Sequence, residues 1–249
     1  MARGKTSSAK SVRSRARKAR AAGFYQRPFR NLLRWASWTI IGVAGFFLAL
    51  ILIYSVINPP TTYYILTEKF REGGVTRHWV DLEDMAPEMA RSVVAAEDAN
   101  FCLHWGFDIK AIKAALNEGA NRGASTVTQQ VVKNVFLWHG RTWLRKAMEA
   151  VLTPVVELVW SKRRIIEVYL NVAETGKGLF GAEAAAQAYF GVSAAKLSPR
   201  QAALIAAALP DPKGRNPGKP SGYLRKRAAS ITQGADTILA DGRAACFED

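Results

Sequence analysis

The sequence predicts a mainly α-helical domain behind one transmembrane helix, and three observations carry that expectation. From Asp84 almost to the C-terminus, apolar residues recur at helical spacing between recognisable start and stop signals. The run from Trp35 to Ile57 holds 23 residues without a charge among them. With 249 residues, 49% of them apolar, and no internal repeat, the chain has room for one good-sized domain and an appendage.

Residues 1–34 are a basic arm with eleven Lys or Arg and no Asp or Glu. They carry most of the formal net charge of +15, which leaves a neutral-to-basic body. Residues 35–57 come next. As a helix this run would rise roughly 34 Å, enough to cross a hydrocarbon core of about 30 Å. Trp35, Trp38 and Tyr54 sit near its ends, where amphipathic rings prefer the headgroup zone, and Pro59-Pro60 stop it. It is longer than the apolar core of a cleaved secretory signal and lacks a small-residue exit, so an uncleaved anchor is expected. Lys and Arg beside a first span stay in the cytoplasm, which puts the arm inside and the body outside. Topology and contact with anionic lipid explain the arm better than nucleic acid does, and no nucleic-acid partner is expected.

Residues 58–80 read as an extended linker, with a strand around residues 61–66, followed by a domain over 81–240 and a tail over 241–249. Asp84 or its neighbours start a helix with Pro87 in the first turn, and that helix delivers Glu97 and Asp98 at its C-terminal end. Asp108 caps a second helix, and Gly119 and Gly123 bracket a loop after it. Ser125 or Thr126 starts a third, where Gln129 completes a capping box with Thr126. A fourth runs from about Thr142 to Trp160, and Pro154 should kink or divide it. A fifth follows Ser161 and runs through Asn171. Residues 175–181 read as a glycine-rich loop and 182–189 as a short alanine-rich helix. Ser198-Pro199-Arg200-Gln201 opens another helix, and a last one covers about 223–239. Cys102 and Cys246 fit neither a disulfide framework nor a metal-ligand spacing and read first as unpaired thiols, with a single Cys102–Cys246 bridge left open for a chain outside the cytoplasm.

The chemistry concentrates in a few segments. Glu97 is the candidate general base, since a helix end inside a groove can hold a carboxylate at a reacting hydroxyl. Asp98 would raise its pKa if both face the cleft; without a cleft the pair is a solvated helix terminus. Glu149 follows Arg145 by one helical turn and Lys146 by three residues. That is either an ordinary surface ion pair or, with Lys133, a cationic seat for a pyrophosphate leaving group, with Glu149 orienting the cations or holding a divalent metal. Ser125, Thr126, Thr128, Gln129, Gln130 and Asn134 crowd polar groups into ten residues. Capping explains part of that set, and the rest suits sugar hydroxyls and phosphate oxygens. Phe101 is the aromatic beside the acids, and His104 reads as a loop-fixing residue rather than a proton shuttle. The aromatic segments Phe136-Leu137-Trp138 and Trp143-Leu144 suit either core packing or a patch dipping into a bilayer.

Five motifs run in order: E-D-x-x-F-x-x-H-x-G-x-D from Glu97, G-A-S-T-x-T-Q-Q-x-x-K-N from Gly123, R-K-x-x-E-A from Arg145, S-K-x-x-I-x-E-x-Y-L-N from Ser161 and A-A-x-x-Y-F from Ala185. Together they resemble glycosyltransferase family 51, and within it the short monofunctional biosynthetic peptidoglycan transglycosylases. The resemblance implies a lysozyme-like helical glycosyltransferase domain whose groove faces the membrane. It implies that Glu97 deprotonates the 4-hydroxyl of an acceptor lipid II. That oxygen then attacks C1 of the growing chain, so that undecaprenyl pyrophosphate leaves and a β-1,4 bond forms with inversion. Glu149 is the second acid it implies. Asp98, Phe101, Ser125, Thr126, Gln129, Gln130, Lys133, Asn134, Arg145 and Lys146 are the expected substrate-binding residues. It requires no cofactor but allows a divalent cation, Mg2+ or Mn2+, with Glu149 as a potential ligand. The implied partners are lipid II, the lipid-linked glycan chain, the membrane and proteins of a cell-wall synthesis complex. The implied setting is a bacterial inner membrane, with the N-terminus cytoplasmic and the catalytic domain periplasmic.

Two S-x-x-K matches, at Ser7 and Ser193, lack the S-x-N and K-T-G companions of penicillin-binding transpeptidases and are chance. Two other readings stay open at this point. A lytic transglycosylase or hydrolase of similar fold would use a glutamate as acid on the glycosidic oxygen, without three cations around a diphosphate. A non-enzymatic wall scaffold would tolerate loss of either glutamate.

Overall fold

The computed structural model describes residues 31–117, 125–140 and 142–248. Most of the basic arm and the loop bracketed by Gly119 and Gly123 lie outside these residues, as does the Gly-Ala pair that opens the second motif. The chain divides into two compact units, one ending at Leu50 and the other starting at Ile51. Helix α1, Asn31–Tyr54, begins earlier and ends earlier than the expected span, and it is long and apolar enough to cross a membrane.

The second unit is built from helices. Residues 58–80, expected to be extended, contain helix α2, Tyr63–Glu72. The reason is local: Thr62 Oγ1 accepts from the Ile65 amide as N-cap, and Gly73 closes the helix at φ 75°. Burial of Ile65, and of Glu68 against Lys213 and Arg71, outweighs the strand preference of Thr-Thr-Tyr-Tyr. After strand β1, Thr76–Arg77, and a 3-10 turn at Leu82–Asp84, helix α3, Pro87–Glu97, starts with its proline in the first turn and ends at the candidate base.

Helices α4, Ile109–Asn117, and α5, Val127–Phe136, follow. Helix α6, Trp143–Val159, runs without interruption through Pro154. The proline forfeits one backbone bond, but burial of Leu152, Val156 and Glu157 around it holds the helix together. Helix α7, Lys162–Val172, is capped by Ser161. The expected loop over 175–181 is instead a small hairpin of β2, Glu174–Gly176, and β3, Leu179–Phe180. Gly178, at φ 68°, makes its tight turn, and β1 adds to β3 in parallel to give the order β1-β3-β2. Helices α8, Ala182–Phe190, α9, Pro199–Ala208, and α10, Gly222–Ala240, lie close to the expected bounds. The expected tail carries a short helix, α11, Ala245–Glu248.

Two packed groups make the core. Helices α3, α9 and α10 pack on one another, with the alanine face of α9 allowing close approach, and α5 packs against α6 and α7. Cys102 and Cys246 form a disulfide with Cα atoms 5.7 Å apart, which corrects the expectation of unpaired thiols. No spacing rule could reveal it, because 144 residues separate the pair and only the packing of α11 on the turn after α3 brings them together. The aromatic segments divide. Leu137 is buried and Phe136 packs near Tyr54 and Trp160, whereas Trp143, at 83% exposure, joins Leu144, Val151 and Leu158 as the apolar side chains that α6 exposes.

Candidate active site

Glu97 ends α3 because Asp98 leaves helical geometry, with φ −159° and ψ 65°. The turn that follows is locked from several sides. Asp98 is buried, and its carboxylate accepts from the Val127 amide at 2.9 Å and meets His104 Nε2 at 2.7 Å. The first contact seats a negative charge at the N-terminus of α5, where the helix dipole favours it. Thr126 Oγ1 donates to the Gly106 carbonyl at 2.7 Å while also serving in the capping box with Gln129. Gly106 is required there: at φ 82°, a Cβ would lie 2.6 Å from Thr153 Cγ2. Below the turn, Lys162 Nζ donates 2.8 Å bonds to the His104 carbonyl and to Glu157, and it lies over the Phe101 ring.

The two glutamates meet on α5 through adjacent glutamines. Gln130 Nε2 donates to Glu97 Oε2 at 2.8 Å, and Gln129 Nε2 makes a long 3.5 Å contact with Glu149 Oε1. Glu149 is 3% exposed, and its carboxylate accepts from both Arg145 and Lys146. Lys133 belongs to the same charge system. Burial lowers its pKa, while Glu149 and Glu97 both act to raise it. Burial pushes the Glu97 pKa above the usual carboxylate range, although Gln130, Arg227 and Lys133 pull it down; Asp98 adds a smaller upward push. Glu97 lines a cleft of about 520 Å³ together with Ser125, Thr126, Gln130, Asp108 and Arg227. A second cleft of about 660 Å³ shares Pro210 with it and contains Tyr64, Glu68, Glu174 and Lys213. A half-buried carboxylate at a cleft wall can accept a proton, and the cations held by a second, buried carboxylate that is linked to it through α5 can stabilise a departing anion.

A family model described as transglycosylase matches residues 65–236. The chain belongs to this family. A biosynthetic peptidoglycan transglycosylase of Jannaschia sp. (strain CCS1) is 58% identical over 214 residues, covering 86% of this chain and 90% of that relative. Proteins with the same name from Rhodospirillum centenum (strain ATCC 51521 / SW) and Pseudomonas entomophila (strain L48) are 45% and 48% identical, over 88% and 81% of this chain and 97% and 89% of their own lengths.

Within the transglycosylase domain the sequence-predicted residues fall into three groups. Glu97, Asp98, Ser125, Thr126 and Gln130 line the cleft. Gln129, Lys133, Arg145, Lys146 and Glu149 form the cationic cluster joined to it through α5. Phe101 and Asn134 are buried, and Phe101 packs on Phe247 and under Lys162, so its contacts are structural. The Asp98 carboxylate likewise spends its bonds on the fold.

Both oxygens of Glu149 face cations, and the described residues contain no group of three or more His, Cys, Asp or Glu suited to a metal. These residues do not fit a divalent cation held by protein ligands at Glu149, and no step is derived through one. Sequence reasoning missed Arg227, which reaches the cleft from α10 and donates to the Ala96 carbonyl at 3.2 Å. Its sequence neighbourhood carries no signal of that role. It also missed the Thr128–Glu157–Lys162 bridge, although Lys162 stands in the fourth motif.

Proposed function

We propose that this transglycosylase is a peptidoglycan glycosyltransferase that polymerises lipid II into β-1,4-linked glycan strands. The observation that carries this reading is the pair of carboxylates tied to adjacent glutamines of α5, one at a cleft wall and one among three cations. The relatives' shared name points to the same chemistry.

In the proposed reaction Glu97 takes the proton from the 4-hydroxyl of the acceptor sugar. The freed oxygen forms a bond to C1 of the lipid-linked donor as the C1–O bond to the diphosphate breaks, so the anomeric centre inverts in one displacement. Negative charge moves onto the leaving undecaprenyl pyrophosphate, and Lys133, Arg145 and Lys146 receive it. Glu149 holds Arg145 and Lys146 in place, a function that its burial between them suits. A base with a raised pKa matches a hydroxyl proton better than an ordinary exposed carboxylate does. A hydrolase acting as acid on a finished strand has no need of this cationic cluster, which argues against that reading.

The setting proposed is a bacterial inner membrane, with α1 as the anchor, the basic arm in the cytoplasm and the domain in the periplasm. The positive flank of α1 supports that orientation, and so does the disulfide, since such bonds persist in oxidising compartments. The apolar side chains exposed on α6 suit contact with the bilayer beside the substrate's lipid tail. Proteins of a cell-wall synthesis complex are proposed partners on function alone.

Purified full-length protein given labelled lipid II should yield a ladder of lengthened chains on a gel. Glu97→Gln and Glu149→Gln should each abolish the ladder while circular dichroism stays unchanged. Near-normal polymerisation by either variant would overturn the role assigned, and cleavage of finished glycan without elongation would favour the hydrolase.

A further inference from the structure

Tyr169 lies on α7, is 2% exposed and lines neither of the two clefts described above, yet its hydroxyl is only two hydrogen bonds away from the base. Its O–H donates to Gln130 Oε1 at 3.2 Å, and Gln130 Nε2 in turn donates to Glu97 Oε2 at 2.8 Å. We propose that Tyr169 is a positioning residue for the catalytic base, fixing which end of the Gln130 amide faces Glu97. This rests on the reading of Glu97 as the base.

A glutamine amide has an acceptor end and a donor end of nearly the same shape, so packing alone does not choose between them. The hydrogen-bond partner on the far side chooses. Gln130 is the one partner of the Tyr169 hydroxyl among the described residues. With the amide turned round, the phenolic hydrogen would lose its acceptor inside the core, and the amide oxygen would point at a carboxylate. Both changes are unfavourable for buried polar groups. The phenol is held as a donor, since burial and then Glu97 both raise its pKa well above the ordinary value. Tyr169 therefore keeps a hydrogen-bond donor trained on the ionised form of Glu97.

The other groups that face Glu97 are Lys133 on α5, Arg227 on α10 and Asp98 beside it in the chain. Tyr169→Phe leaves all three in place and removes a single hydroxyl. Once Gln130 is free to present its oxygen, the protonated form of Glu97 gains relative to the carboxylate. The base must be ionised to act, so the acid limb of the kcat/KM profile should move to higher pH. The variant should be about tenfold slower at the acidic end of the range and approach the parent rate at the alkaline end.

The experiment is polymerisation of lipid II by the full-length protein across pH, for the parent, Tyr169→Phe, Gln130→Leu and the double variant, with melting curves as a check on folding. The expected result is an upward shift of the acid limb in Tyr169→Phe. In the Gln130→Leu background the same change should add nothing, because the link is already broken. A loss equal at every pH, an unmoved limb, or full additivity with Gln130→Leu would overturn the proposal. An unstable Tyr169→Phe would still be tested by the Gln130→Leu profile, whose acid limb must rise if the Gln130 donor matters. Glu97→Gln in the same series separates the two levels of inference. An inactive Glu97→Gln beside an unshifted Tyr169→Phe removes only the positioning role, whereas an active Glu97→Gln removes the base itself.

Discussion

Glu97 works against the stability of its own fold. Burial raises its pKa, so ionising it costs more in the folded state than in the unfolded one. The sign follows directly: for a carboxyl group whose pKa rises on folding, the stabilising contribution is present at low pH and fades as pH climbs through the folded-state value. A neutral isostere escapes this loss. Glu97→Gln should therefore melt higher than the parent at pH 8, with the gap narrowing as pH falls below the Glu97 titration, as scanning calorimetry at several pH values would record. At this scale the sequence was informative about identity and silent about connection. The motifs pointed to both glutamates, the cations and the two glutamines. They did not show that Asp98 and Phe101 spend their contacts on the fold, because a side chain's partner in space leaves no mark on its neighbours in sequence.

The element on which most depends is α5, since its first turn is held at three points, two of them tying it to the rest of the site. The capping box is its own, Asp98 accepts from Val127, and Thr126 donates to the Gly106 carbonyl. Thr126→Ala removes the cap and leaves that carbonyl without its donor, so it should lower stability by about 1–2 kcal/mol in urea unfolding. It should also depress polymerisation, because Gln129 and Gln130 follow the cap directly. The capping box was legible from Thr126 and Gln129, as were the serine caps of α7 and α9, because these signals are local. Helix α2 and the β2–β3 hairpin were misjudged for the opposite reason. Buried Glu68 paired with Lys213 stabilises α2, and β1, far away in the chain, completes the hairpin's sheet. Pro154 was expected to disrupt α6, but packing along the buried side of that helix overrides it.

At the scale of the molecule, the C-terminal segment closes over the turn that carries the base. Cys246 is bonded to Cys102, Phe247 packs on Phe101, Glu248 meets Arg91, and Arg243 donates to the Ala99 carbonyl at 2.9 Å. Cross-linking positions 144 residues apart restricts the unfolded chain severely. The paired change Cys102→Ser and Cys246→Ser should cost about 2–5 kcal/mol of stability, read as a lower denaturant midpoint that is matched by the reduced parent. The bond has a further consequence for how the protein is made. Its two halves lie 144 residues apart, so the staple cannot close until the chain through Cys246 has been made and delivered to an oxidant. A molecule cut short before Cys246 never acquires it, and the turn next to Glu97 is then left without its covalent tie.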